Sequence, residues 1–324
     1  MNEKKEQKYR TEIAYTKYVK NYVLLRAHEI YIKSTYESYK EILENSHVYL
    51  ICSRPRLKIR EETFHTDLVN LYFDIELCSS LDKNFKTVSV VIEKSRIVSF
   101  SDVSFEIDKE SESDIIINRE GFTSVKTSIH YFLNQTEEYL KLKDELNLKI
   151  EYIGRSYGED GNRVSFSRIN GHEKLQRVLA EFAHKNRNSE ISILFIEFSD
   201  AQLILSIDGI GNPTTSDQES TKHAAEAINH NFDPKFGIYL AEACLIRYFE
   251  PDYNKVYKEK FPSKNSATLS ELANLDIQSA IIEISLNKAS FMLFSNKIAA
   301  LQDHIINFSI QTENDRKNIF TEMI

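Results

Sequence analysis

The sequence is poor in the residues that interrupt regular structure, with eight glycines and five prolines in 324 positions. That scarcity excludes a collagen-like repeat and a Pro/Gly-rich low-complexity chain. Cysteine is scarce too: Cys52, Cys78 and Cys244 are odd in number and lack metal-type spacing. A disulfide scaffold and a zinc ribbon are therefore excluded, and reduced thiols of a cytoplasmic protein are expected. No stretch reaches the ~18 consecutive apolar residues of a membrane helix. The opening M-N-E-K-K-E-Q-K-Y-R is too polar to read as a secretory signal. Neither a Gly-Lys-Ser/Thr phosphate loop nor a nucleophile elbow occurs.

What is present suits a globular chain. Hydrophobic residues make up 41% and charged residues 28%, and the length fits about two domains at ~150 residues each. The net charge of −8 argues against a dedicated nucleic-acid coat protein, but it is unevenly spread. Residues 1–60 hold 13 Lys/Arg against 7 Asp/Glu, whereas residues 61–150 hold 10 against 18. Residues 152–187 are again basic, 7 against 4. An acidic chain with such zones can still attract a polyanion, because only charges within about a Debye length count.

Four segments follow from the patterning. Residues 1–47 read as a helical N-terminal segment, since Tyr15, Tyr18, Tyr22 and Leu25 recur at helical spacing. Interleaved with Lys17, Lys20, Arg26 and Lys33, this stripe suits packing against the domain or against a second copy, and less so contact with nucleic acid. Residues 48–122 form a β-rich module of short strands such as V-Y-L-I-C and V-N-L-Y-F-D-I-E-L. Residues 123–262 combine strands at 149–153, 191–198 and 202–208 with helices at 164–186 and 238–249. Residues 263–324 supply C-terminal strands and a polar helix. The fold class is α+β.

Three of the eight glycines, Gly154, Gly158 and Gly161, crowd into E-Y-I-G-R-S-Y-G-E-D-G directly after a strand. A turn needs one or two. Arg168 and His172 follow, four apart and so on one helical face. Gly171 between them costs about 1 kcal/mol of helix propensity relative to Ala. Further on, A-E-A-C-L-I-R-Y-F-E-P-D-Y-N sets Glu242 as the only acid between Tyr239 and Tyr248, with Pro251 and Asn254 beyond the helix. His223, Glu226 and His230 have ligand chemistry but lie in a polar insertion, where solvated side chains are the commoner outcome.

Taken in this order, Tyr152-Ile153-Gly154, Arg168 with His172, Glu242 and Asn254 resemble the GIY-YIG nuclease superfamily over residues 123–262. The resemblance implies a small antiparallel sheet flanked by helices, and a site made of Tyr152, Arg168, His172, Glu242 and Asn254. It implies Mg²⁺ or Mn²⁺ held through Glu242, and a tyrosine beside the attacking water. The first signature has no literal match ahead of Y-I-G; Tyr131 or Tyr139 is the candidate. A literal G-I-Y at Gly237–Tyr239 falls after it, in the wrong order, and the spacings demand insertions at 157–163 and 209–235.

The chemistry matches the residue types. A guanidinium holds phosphate oxygens bidentately, and one divalent ion on a carboxylate keeps positions open for water and phosphate. The expected activity is phosphodiester hydrolysis in nucleic acid, DNA ahead of RNA, of a restriction or phage-defence kind by analogy with the superfamily. A catalytically inactive module that binds nucleic acid or protein is the alternative. Self-association through the N-terminal helix is a further expectation.

Overall fold

The computed structural model describes residues 8–78, 86–100, 102–155, 173–185, 188–207, 213–258, 267–287 and 289–310. Arg168 and His172 lie outside these residues.

The largest departure from expectation comes first in the chain. Thr11–Arg26 is not helical but a 16-residue strand, β1, and the first α-helix, α1, spans Lys33–Asn45. Thr, Ile, Val and Tyr dominate β1, the residue types that suit a pleated surface. The helix-like tyrosine spacing arises from an irregularity: the pairing of β1 with its neighbour shifts register between Val19 and Asn21. Tyr15 and Tyr22, an odd number apart, can then both serve the same core, which an unbroken period of two forbids.

β1 lies inside an eleven-stranded sheet, larger than the small sheet expected. Its main path runs β13 (Leu293–Phe294), β9 (Leu148–Arg155), β2 (Val48–Ile59), β10 (Ser189–Phe198), β1, β12 (Ser279–Ser285) and β14 (Asp303–Ser309). β11 (Gln202–Ile207) pairs with the first part of β1. Most ladders are antiparallel, while β12 runs parallel to β1 and β13 parallel to β9.

β2 joins two regions. Val48–Pro55 pairs with β9 and β10, whereas Arg56–Ile59 turns away to pair with β4 (Asn70–Cys78). β3 (His65–Thr66) and β5 (Lys86–Glu93) flank β4. A separate sheet of β6 (Val103–Ile107), β7 (Asp114–Arg119) and β8 (Val125–Ser128) completes the β-rich module. Helices α2 (Ile129–Leu133) and α3 (Glu138–Leu142) pack into that module, burying Phe132 and Leu142 in its core. T-S-I-H-Y-F-L, expected as a strand end, is therefore the start of a helix, capped by Ser128, which accepts from the His130 amide.

Helices cover both faces of the main sheet. On one, α6 (Pro234–Phe249) is buried on nearly every side and packs on Leu50, Ile153 and Leu194. Asp233 accepts from the Lys235 amide to cap it and Pro234 occupies its first turn, as both residue types favour. Glu250, left-handed at φ 48, ends it. Gly237 is a packing requirement: a methyl there would fall 2.5 Å from the Tyr15 hydroxyl and 2.8 Å from the Lys17 chain. The opposite face carries α1 and α4 (Glu173–Lys185), through Leu43, Val178 and Leu179. Among the described residues no helix is long and apolar enough to cross a membrane.

Candidate active site at the end of strand β9

The Y-I-G string occupies the C-terminal end of β9, antiparallel to β2 with Tyr49 opposite Gly154 and Leu50 opposite Ile153. Tyr49 is fully buried and lies across Gly154. A methyl on Gly154 would sit 2.5 Å from its ring and 2.6 Å from its hydroxyl, with Tyr152 at 2.8 Å. The glycine exists so that two tyrosine rings, 6.2 Å apart between centroids, can cross the strand there.

Asn254 ties the end of the α6 segment to the same strand. Its Oδ1 accepts from the Ile153 amide at 2.8 Å, and its Nδ2 donates to the Ile153 carbonyl at 2.9 Å. The buried side-chain amide thus takes the place of a neighbouring strand. The Tyr253 amide adds a bond to the Glu151 carbonyl at 3.0 Å. Glu250 in the left-handed region and Pro251 turn the chain back toward β9, and the Asn254 amide closes that turn on the Pro251 carbonyl at 3.1 Å.

Glu242 faces Arg155, the residue immediately after Y-I-G, and the two form an ion pair between Oε2 and Nη1. Arg155 also stacks on Tyr239, its guanidinium carbon 3.6 Å from the ring centroid, while Lys235 approaches the same ring at 5.8 Å. Tyr239 and Glu242, three apart on α6, share the helix face that meets Arg155. Around the neighbouring turn, Lys149 bridges Asp252 at 3.0 Å and Glu151 at 3.4 Å. Glu151 in turn accepts from Ser53 at 2.7 Å. Burial, with Glu151 nearby, raises the Tyr253 phenol above its ordinary value.

The structure therefore brings Tyr152, Glu242 and Asn254 to one end of β9, from positions about a hundred residues apart. It does not put Tyr152 and Glu242 in one pocket. Tyr49, Ile51 and Tyr152 belong to the α1/α4 face, whereas Ile153 and α6 belong to the other. The strand end, Gly154–Arg155, separates them. Tyr131 and Tyr139 are both on helices of the module; Tyr131 is half exposed and Tyr139 donates to the Ser290 carbonyl. The residues missed by sequence reasoning are Tyr49 and Arg155. Arg155 was adjacent to the motif, and Tyr49 stood in V-Y-L-I, a strand assigned to a different segment.

The polar-insertion trio is structural. His223 stacks on Tyr9 at 3.9 Å and bonds the Leu275 carbonyl at 2.8 Å, and His230 bonds Glu271 at 2.9 Å. Among the described residues no group of three His, Cys, Asp or Glu could hold a metal ion. Compared with protein-family models, curated proteins and solved structures, the chain matches none of them.

Proposed function

We propose that the chain is a divalent-metal-dependent endonuclease of GIY-YIG type, hydrolysing phosphodiester bonds in nucleic acid, DNA ahead of RNA. One observation carries this reading: the Asn254 amide clasps Ile153 within Y-I-G, and Glu242 reaches the very next charged residue, Arg155. Motifs a hundred residues apart become neighbours in the way the resemblance requires. The buried β2–β9 pairing supports a second assignment, with Tyr49 as the tyrosine of the first signature, because it crosses Gly154 from the adjacent strand.

The donor set fits a divalent ion only in the open sense. One carboxylate, already faced by a guanidinium, is too little for a closed protein cage. It does suit Mg²⁺ or Mn²⁺, which keep several waters and take remaining ligands from phosphate. Bound at Glu242, such an ion would neutralise charge on the phosphate. Arg155, always protonated, supplies a cation at the strand end, held in place by Glu242 and the Tyr239 face. Arg168 and His172, one or two turns ahead of the described part of α4, are proposed to bind the phosphate and to orient the proton of the attacking water. A restriction or phage-defence setting remains an analogy with the superfamily.

The test is cleavage of supercoiled plasmid and of RNA with Mg²⁺ or Mn²⁺ against a chelator control. Wild type should cut only with metal, and Arg168→Ala should lose at least 100-fold while retaining its circular dichroism spectrum; undiminished cutting by that variant contradicts the assignment. The separation of Tyr152 from Glu242 by the sheet favours a second reading, a binding module without catalysis. It predicts nucleic-acid retention on gels with no cleavage under any metal.

A further inference from the structure

We infer that the outer edge of β11 is a self-association surface on which two copies of this chain pair strand against strand. β10 and β11 follow one another along the same side of β1, separated only by residues 199–201. The far side of β10 is covered by β2, whose pairing ends with Val48 opposite Ile196. Past that point nothing continues the sheet: among the described residues β11 pairs with β1 alone. Its far edge presents a row of backbone donors and acceptors, which is a template for another strand.

Sheet edges are ordinarily blunted by Lys, Pro, a bulge or an inward charge. β11 reads Q-L-I-L-S-I and has none of these. It exposes Ile204 at 44%, Leu205 at 38% and Ile207 at 71%. The edge at the other end of the sheet differs, since β14 begins with Asp303, whose carboxylate accepts from Ser285.

Charge selects a second copy as the occupant and also sets the register. Two chains of net charge −8 repel, so they meet most readily along an uncharged stretch, and β11 is six residues without a charge. An antiparallel pair of identical strands is two-fold symmetric by construction. Centred on Leu205, it sets Leu203 against Ile207 and Leu205 against itself, and keeps acids apart. Centred on Ile204, it would set Asp200 against Asp208 of the other copy. Leu203, Leu205 and Ile207 share a face by the period of two, and Leu203 already packs on the main core. The Leu205 register therefore carries that core's apolar face across the two-fold axis. A six-residue ribbon falls short of the roughly 800 Å² per partner of a standard interface, so the dimer is weak and concentration-dependent.

Sedimentation velocity on the full chain, from micromolar to submillimolar, tests this. Wild type should shift from monomer to dimer as concentration rises. Leu205→Lys sets two like charges together at the axis, and Ile207→Lys charges the flank; both should stay monomeric throughout. Ile305→Lys on β14, equally exposed and at the far edge, should dimerise as wild type does, and melting curves of the three variants should be compared to confirm folding. Ile207, the more exposed position, keeps the test valid if Leu205→Lys misfolds. A monomeric wild type over the whole range, or a dimer that survives Ile207→Lys, overturns the proposal.

Discussion

The two halves of this molecule are held together by different physics. Around β9 and α6 the packing is apolar, with Leu240, Ala241, Cys244 and Leu245 fully buried against Leu50 and Ile153. Polar groups enter only where a partner exists, as Asn254 does on Ile153. The β-rich module has its own apolar core, but its junction with the main sheet is charged. Arg26, at the end of β1, reaches Asp114 of β7 at 2.5 Å and Glu29 at 2.8 Å. Arg54 meets Glu190 at 2.7 Å, and His130 of α2 lies 3.5 Å from the same carboxylate. Lys126 bridges Asp108 and Asp114. The lesson is that the candidate site rests on an apolar scaffold insensitive to pH, whereas the attachment of the module depends on charges that must stay paired.

The sharpest way to break that contrast is Asp114→Ala. Asp114 is fully buried, and its loss leaves Arg26 with one partner fewer, at a cost of about 3–5 kcal/mol. Urea unfolding should show this as a lowered midpoint; a change below about 1 kcal/mol would reduce the junction to a surface contact. On the apolar side, Gly154→Ala forces a methyl against the Tyr49 ring and should cost about 1–3 kcal/mol. Cleavage should fall with it, because Tyr49 and Tyr152 must move. A neutral effect on both would deny the close packing of β9 on β2.

The pH response distinguishes the halves more gently. Burial first, then Arg54 beside it, lowers the His130 imidazole below its ordinary value. The folded state therefore resists the proton that the unfolded chain accepts. Stability from this group is intact above the unfolded value near 6.5 and is lost as pH falls below it. Glu190 acts in the same direction lower down: its value is held well below the carboxylate norm, against its burial, by Arg54 and His130. That contribution persists above the unfolded value and disappears as pH drops through the folded one. Melting temperatures at pH 7 and pH 5 should differ more for wild type than for His130→Gln. Equal differences would remove His130 from the junction's pH dependence, although the buried His304, also lowered by burial, contributes with the same sign.

How much of this was legible in the sequence depends on range. The strands at 148–155, 189–198 and 202–207 and the helix ending at Phe249 were readable because alternation, helical spacing and Pro251 are local signals. The motif residues Tyr152, Glu242 and Asn254 were readable for the same reason. β1 was not, because a register shift at Val19–Asn21 disguised its period. Tyr49 was not, because what qualifies it is a pairing with Gly154 across more than a hundred residues. Nothing in V-Y-L-I-C announces that the strand has one half in the main sheet and the other in the module. The ion pairs of the junction join Arg26 to Asp114 and Arg54 to Glu190 over comparable distances, and single-sequence patterns carry no trace of them.

The account turns most directly on Glu242. Metal-dependent cleavage of a supercoiled plasmid should be lost in Glu242→Gln, an isosteric change that removes the charge opposite Arg155 while the melting curve and the bound nucleic acid remain. Glu242→Gln cutting at the wild-type rate with Mg²⁺ or Mn²⁺ would contradict the assignment of this carboxylate, and with it the hydrolase reading of the β9 end.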